Sequence, residues 1–219
     1  LAASGINTNT SMDVTIEGDQ DLDKQSGFAE FEPNVDSTFD ASGFSAELNA
    51  DLTGLVDTSA NDANTQTVKL GTGDTDLGVA APGGTRELSA GGTAEDIYRF
   101  EFSGDGIGDV DIGATVGAFG TDASGTGFSN DTDNSVDDVL DFSNLISGTL
   151  DGSSFDNLAA NGTGDIVDEN DNSLLTVDGS ADSNADVEIT AANGEFDGSV
   201  TLQGVGDATN LDAANFNFG

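Results

Sequence analysis

The sequence predicts an all-β protein: a β-sandwich of jelly-roll type with Gly- and Asp-rich loops and little helix. Three observations carry this expectation. Apolar residues alternate with polar ones in many short runs, the period of a half-buried strand. The runs are punctuated by 30 Gly and only 2 Pro across 219 residues. The 42 acidic residues are mostly Asp, which closes turns through its own side chain, whereas Glu is the better helix former.

Along the chain, residues 1–11 (LAASGINTNTS) are small and polar and read as a flexible N-terminal arm. Residues 12–219 read as a single sandwich domain, with a candidate subdivision near 125–135. MDVTIEG opens it with Met12, Val14 and Ile16 on one face. FAEFEP, TFDASGFSAEL and TQTVKLGTG follow as strands. DIYRFEFSGDG is the most regular, with Tyr98, Phe100 and Phe102 on one face and Ile97, Arg99 and Glu101 on the other. Asp-Val-x-Ile occurs at Asp13, Asp109 and Asp186, and the irregular separations argue against a solenoid period. Helical spacing is confined to SVDDVLDFSNLI, through Val136, Val139, Leu140 and Leu145, and to a short turn at DAANF.

Composition bounds function. Four basic residues stand against 42 acidic ones, a formal charge of -38. Self-repulsion on that scale requires screening by salt or bound cations. Binding to nucleic acid needs clustered Lys and Arg, and binding to an anionic membrane surface needs the same, so neither partner is expected. No run approaches the length of a membrane-spanning helix. The 13 Phe and 35% hydrophobic content separate the chain from disordered acidic segments. Cys and His are both absent, which removes disulfides, thiol chemistry and the commonest general base. No enzyme is expected. The sequence begins at Leu1 rather than Met, so any secretion signal that preceded it would not be visible.

Calcium is the cofactor the sequence suggests. DGSADSNAD places Asp178, Ser180, Asp182, Asn184 and Asp186 at alternate positions, as loops that wrap a hard cation do. DENDNS offers Asp168, Asn170 and Asn172, and NDTDN offers Asp131 and Asp133. None completes an EF-hand: Ser173 and Gly179 stand where Gly and Glu are required after Asp168. Solvated turns on a salt-adapted surface account for the same residues. Sequons at Asn9, Asn130 and Asn161 mark where glycans would be carried.

The last third, from VDDVLDFSNLISG through LLTVDGSADSNADVEI to VTLQGVGDATNLDAANFNFG, resembles the C-terminal region of bacterial proteins exported by type I secretion, many of the repeats-in-toxin group. The resemblance maps onto Val139 to Gly148, Leu175 to Asp186, Val200 to Val205 and Leu211 to Phe218. It implies a secreted, surface-associated protein whose uncharged NFNFG ending is read by the export channel. The family's glycine-rich nonapeptides are missing upstream. Read as residues alone, the same ending is a last strand whose Phe side chains close the core.

Together these readings lead to an extracellular structural protein that assembles with copies of itself into a filament or surface layer, held by cations. Residues 1–17 are candidates to add a strand to a neighbouring copy. The alternatives are a secreted calcium-binding adhesin or ligand-binding module, and a viral coat protein from a saline habitat.

Overall fold

The computed structural model describes residues 13–19, 37–51, 65–79, 81–89, 96–100, 106–113, 138–151, 155, 162–179, 186–203, 211 and 213–219. The arm at residues 1–11 and the candidate boundary at 125–135 lie outside them. The strands are β1 (Asp13–Gly18), β2 (Ser37–Phe44), β3 (Leu48–Asp51), β4 (Thr65–Lys69), β5 (Thr75–Val79), β6 (Ala81–Ser89) and β7 (Asp96–Phe100). They continue as β8 (Gly106–Ile112), β9 (Val139–Asp141), β10 (Thr163–Val167), β11 (Ser173–Gly179), β12 (Val187–Ala191), β13 (Asp197–Leu202) and β14 (Phe216–Asn217).

These strands form two sheets, as an all-β fold should. The nine-stranded sheet runs β1-β2-β4-β6-β8-β13-β12-β11-β10 and the five-stranded sheet β14-β9-β7-β5-β3. From β2 to β9 consecutive strands alternate between the sheets, and each is parallel to its neighbour one turn away. The chain therefore winds as a coil. Jelly-roll connectivity would pair strands antiparallel, and among the described strands antiparallel pairing is confined to β10 through β13, with one isolated antiparallel bridge between Leu150 and Asp168.

The coil escapes notice in the sequence because its turns differ in length. Thr38 pairs with Thr67, Thr67 with Glu87, and Glu87 with Asp111, so successive turns take 29, 20 and 24 residues. Asp111 then pairs with Thr201, 90 residues on. What repeats is side-chain character at matched register rather than spacing. In-register stacking, parallel from β1 to β13 and antiparallel from β13 to β12, lines up Val14, Phe39, Val68, Leu88, Ile112, Leu202 and Val187 across the nine-stranded sheet. Ala50, Leu77, Tyr98, Leu140 and Phe216 line up across the other. All but Val14 are buried, and together they belong to one apolar core. The three Asp-Val-x-Ile copies fall on β1, β8 and β12 of the same sheet, with Val and Ile turned inward.

Corners of adjacent turns sit close together. A Cβ on Gly71, after β4, would lie 1.8 Å from the Phe44 carbonyl oxygen, which accepts from the Thr72 amide at 3.0 Å. Only glycine allows that approach.

SVDDVLDFSNLI is not helical where it is described: Val139–Asp141 is strand and a turn follows. Tertiary pairing overrides the local spacing, because Leu140 stacks between Tyr98 and Phe216. The expected turn at DAANF is present as a 3-10 turn over Ala213–Asn215. Segment 142–151 then ties the two sheets at this end. It bonds to β14 and Gly219 through Phe142 N to Asn217 O at 2.8 Å and Gly148 N to Gly219 O at 2.9 Å. It reaches β10 through Asp151 N to Val167 O at 3.0 Å. Phe142 stacks on Phe100 at 4.7 Å and on Phe196 and Phe218 at 5.8 and 6.0 Å. Phe216–Asn217 is thus a short last strand, with Phe216 buried and Phe218 packed against the core, as the reading from residues alone expects.

Candidate functional site

The outer face of the nine-stranded sheet is built from the polar half of each alternating strand. One row crosses it as Thr38, Thr67, Glu87, Asp111, Thr201, Glu188, Asp178 and Thr163. Beside it run Thr65, Thr85, Asp109 and Ser199 and, on the other flank, Thr15, Asp40 and Lys69. Hydroxyls and carboxylates are spaced by the strand separation of about 4.8 Å, with one Lys among them.

That composition sets local charge states. Burial pushes the Asp111 carboxyl above its ordinary value, and the neighbouring charges of Asp109 and Asp186 push it the same way, against a hydrogen bond from Thr201. Asp40 is held below its ordinary value, chiefly by the Ser42 hydroxyl and amide and less by Lys69. The Lys69–Asp40 pair is 3.3 Å long with side chains 42% and 28% exposed, a weak contact in water.

The predicted calcium ligands divide into three groups. Asp178 is exposed on β11 opposite Glu188, and Asp186 is exposed just before β12. Asp182 and Asn184, which would complete that loop, lie outside the described residues, as do Asp131, Asp133 and the sequons at Asn9, Asn130 and Asn161. Asp168, Asn170 and Asn172 do come together, in the β10–β11 turn. Asp168 Oδ1 accepts from the Asn170 and Asn172 amides at 2.8 and 2.9 Å, and Oδ2 from Asn172 Nδ2 at 2.9 Å. These bonds hold the Asp168 carboxyl below its ordinary value, the Asn172 side chain most of all. The turn closes on itself: amide N–H groups, rather than oxygens, face the carboxylate. Among the described residues no three Asp or Glu side chains converge as a metal centre would require.

A second group of polar side chains, not anticipated from the sequence, crosses the smaller sheet with a diagonal step between β5 and β7, where Asp76 stands opposite Ile97 and Arg99 opposite Gly78. Asn49 lies opposite Asp76, and Arg99 opposite Asp141, which in turn faces Asn217. The Arg99 guanidinium contacts both oxygens of Asp76, and its Nε lies 3.7 Å from Asp141 Oδ2. Asp141, only 7% exposed, also accepts from the Ser143 amide at 2.9 Å and Asn217 Nδ2 at 3.2 Å. Asn49 Oδ1 is buried without a hydrogen-bond partner. Arg99 is one of only four basic residues, which was the available signal. Its partners are 23 and 42 residues away, so only the strand register reveals them. Arg99, reaching diagonally to Asp76 and across to Asp141, is the centre of a charge clamp joining β5, β7 and β9.

Comparison with protein-family models, curated proteins and solved structures finds no match.

Proposed function

We propose that the chain is an extracellular structural protein that assembles with copies of itself into a filament or surface layer, with cations between and upon its subunits. The observation that carries this reading is the outer face of the nine-stranded sheet. It presents rows of hydroxyls and carboxylates with Lys69 as the one basic side chain among those named above, on a chain of charge -38. Such a face is solvated and repulsive in dilute buffer and becomes neutral enough to approach another surface once counterions occupy it. The resemblance of residues 139–218 to proteins exported by type I secretion supports placement outside the cell. Calcium at the Asp178–Asp186 loop belongs to the same reading as one such counterion.

Size measurement tests the reading directly. The purified chain should form large particles at about 1 M salt or with calcium, and fall to single folded chains on dilution or chelation, as the screening length changes from about 3 to 10 Å. A folded monomer under every condition would instead fit an adhesin or ligand-binding module. Negative-stain imaging of the native cell surface then distinguishes filament from layer.

A further inference from the structure

Among the described residues, strand β1 is the outermost member of the nine-stranded sheet and pairs with β2 alone. Among the described residues it also stands one strand beyond the smaller sheet, which ends at β3. The consequence is visible in burial: Phe39, Val68, Leu88 and Ile112 are at most 6% exposed, whereas Val14 and Ile16 at the end of the row are only partly buried. The register shift between β1 and β2 places its extra residue on β2, since Thr15 pairs with Asp40 and Glu17 with Gly43. Among the described residues no strand covers the other side of β1, which presents a regular extended edge, the feature that recruits another strand.

The sequence of that edge is symmetric in character: Asp13, Val14, Thr15, Ile16, Glu17 reads acid, apolar, Thr, apolar, acid from either end. Residues directly opposite in an antiparallel pair share a face. A two-fold axis at Thr15 places Val14 opposite Ile16 of a second copy on the inner face, and Asp13 opposite its Glu17 on the outer face. A one-residue slip would oppose apolar to acidic side chains.

We propose that two copies of this chain join edge to edge through antiparallel pairing of β1 about Thr15, with cations bridging each Asp13–Glu17 pair. This rests on the self-assembly reading and names its interface. The pairing is isologous, the commonest symmetry of a homodimer, and makes one continuous sheet from two. β1 carries no Lys or Arg, and like charges face each other across the join, so pairing requires salt or a divalent ion.

Because the chain has no Cys, Thr15→Cys in the full-length protein reports the axis: opposed Cα atoms lie within disulfide range. Oxidation at about 1 M NaCl should give a covalent dimer in high yield, and a Thr163→Cys control on the far edge should not. Asp13→Lys turns repulsion into attraction and should give a dimer in low salt with chelator, doubling the mass measured by light scattering. If the parent associates in salt but Thr15→Cys cross-links no better than the control and Asp13→Lys stays monomeric, β1 pairing is wrong while self-assembly stands. If the parent stays monomeric at every salt and calcium level, the assembly reading fails, and this interface with it.

Discussion

Gly198 offers the sharpest test of the coil, because it sits where β13 returns to lie on β8. The backbone there has φ +111°, and an added Cβ would stand 2.1 Å from the Gly108 carbonyl oxygen and 2.7 Å from Gly108 N and C. Both penalties apply to Gly198→Ala. Holding a non-glycine residue in such a conformation costs about 1–3 kcal/mol, and forcing extra volume into a closed contact about 1–3 kcal/mol more, so the expected loss is about 2–6 kcal/mol. Gly194→Ala is the internal control, since Gly194 also has positive φ, +74°, but nothing lies within 4 Å of its Cβ position. It should lose only the conformational part. Urea unfolding at high salt, read at constant slope, measures both. The difference between the two variants is the steric cost of β13 lying against β8. Equal midpoints for Gly198→Ala and Gly194→Ala would mean that the two strands are not neighbours, and the join between coil and hairpins would have to be redrawn.

Asp111→Asn should raise thermal stability at neutral pH and low salt. A folded-state pKa above the ordinary 3.8 means the folded chain holds this proton more tightly, so stability falls as pH rises from 3.8 through the raised value. Parent and variant melts should converge below that window and in strong salt; a less stable variant at pH 7 refutes the assignment. Arg99→Ala strands Asp76 and Asp141 without their cation. Removing one partner of a fully buried pair costs about 3–5 kcal/mol, and partial exposure of this clamp reduces the expectation to about 1–3 kcal/mol. An unchanged urea midpoint would show the clamp to be ornamental. Phe142→Ala removes the ring at the centre of the stack with Phe100, Phe196 and Phe218 and should cost about 3–5 kcal/mol. A loss under about 1 kcal/mol would mean that segment 142–151 is not packed as described.

Strand content was readable because alternation is a property of each strand alone. DIYRF places Tyr98 and Phe100 inward and Ile97 and Arg99 outward, as its pattern required. Parallel stacking was not readable, because it joins residues such as Asp111 and Thr201 through turns of unequal length that leave no period to detect. For the same reason the clamp of Asp76, Arg99 and Asp141 was invisible, although Arg99 and Asp141 lie in runs recognised as strand and helix. The DENDNS loop failed differently. Ligand-like spacing and a self-closing Asx turn draw on the same residues, and the direction of the Asn172 amide, which sequence does not specify, separates them.

The placement of Asp also alters how the acidity should be understood. Turn-closing Asp is present at Asp168 and Asp141, each accepting an amide two residues on. Yet Asp109, Asp111, Asp165 and Asp178 lie within strands, where Asp is ordinarily disfavoured. Each turn of the coil adds an apolar layer to the core and a polar layer to the outer face, so cohesion and repulsion grow together with length. The row through Asp111 moderates the repulsion by spacing: Glu87 and Asp111 are adjacent, Thr201 interrupts, Glu188 and Asp178 are adjacent, and Thr163 ends it. Adjacent carboxylates about 4.8 Å apart lie well inside the screening length of dilute buffer, about 10 Å at 0.1 M. Their mutual repulsion is therefore lost only when ions enter the row itself. The number of counterions taken up on folding is therefore expected to scale with the number of coil turns rather than with net charge.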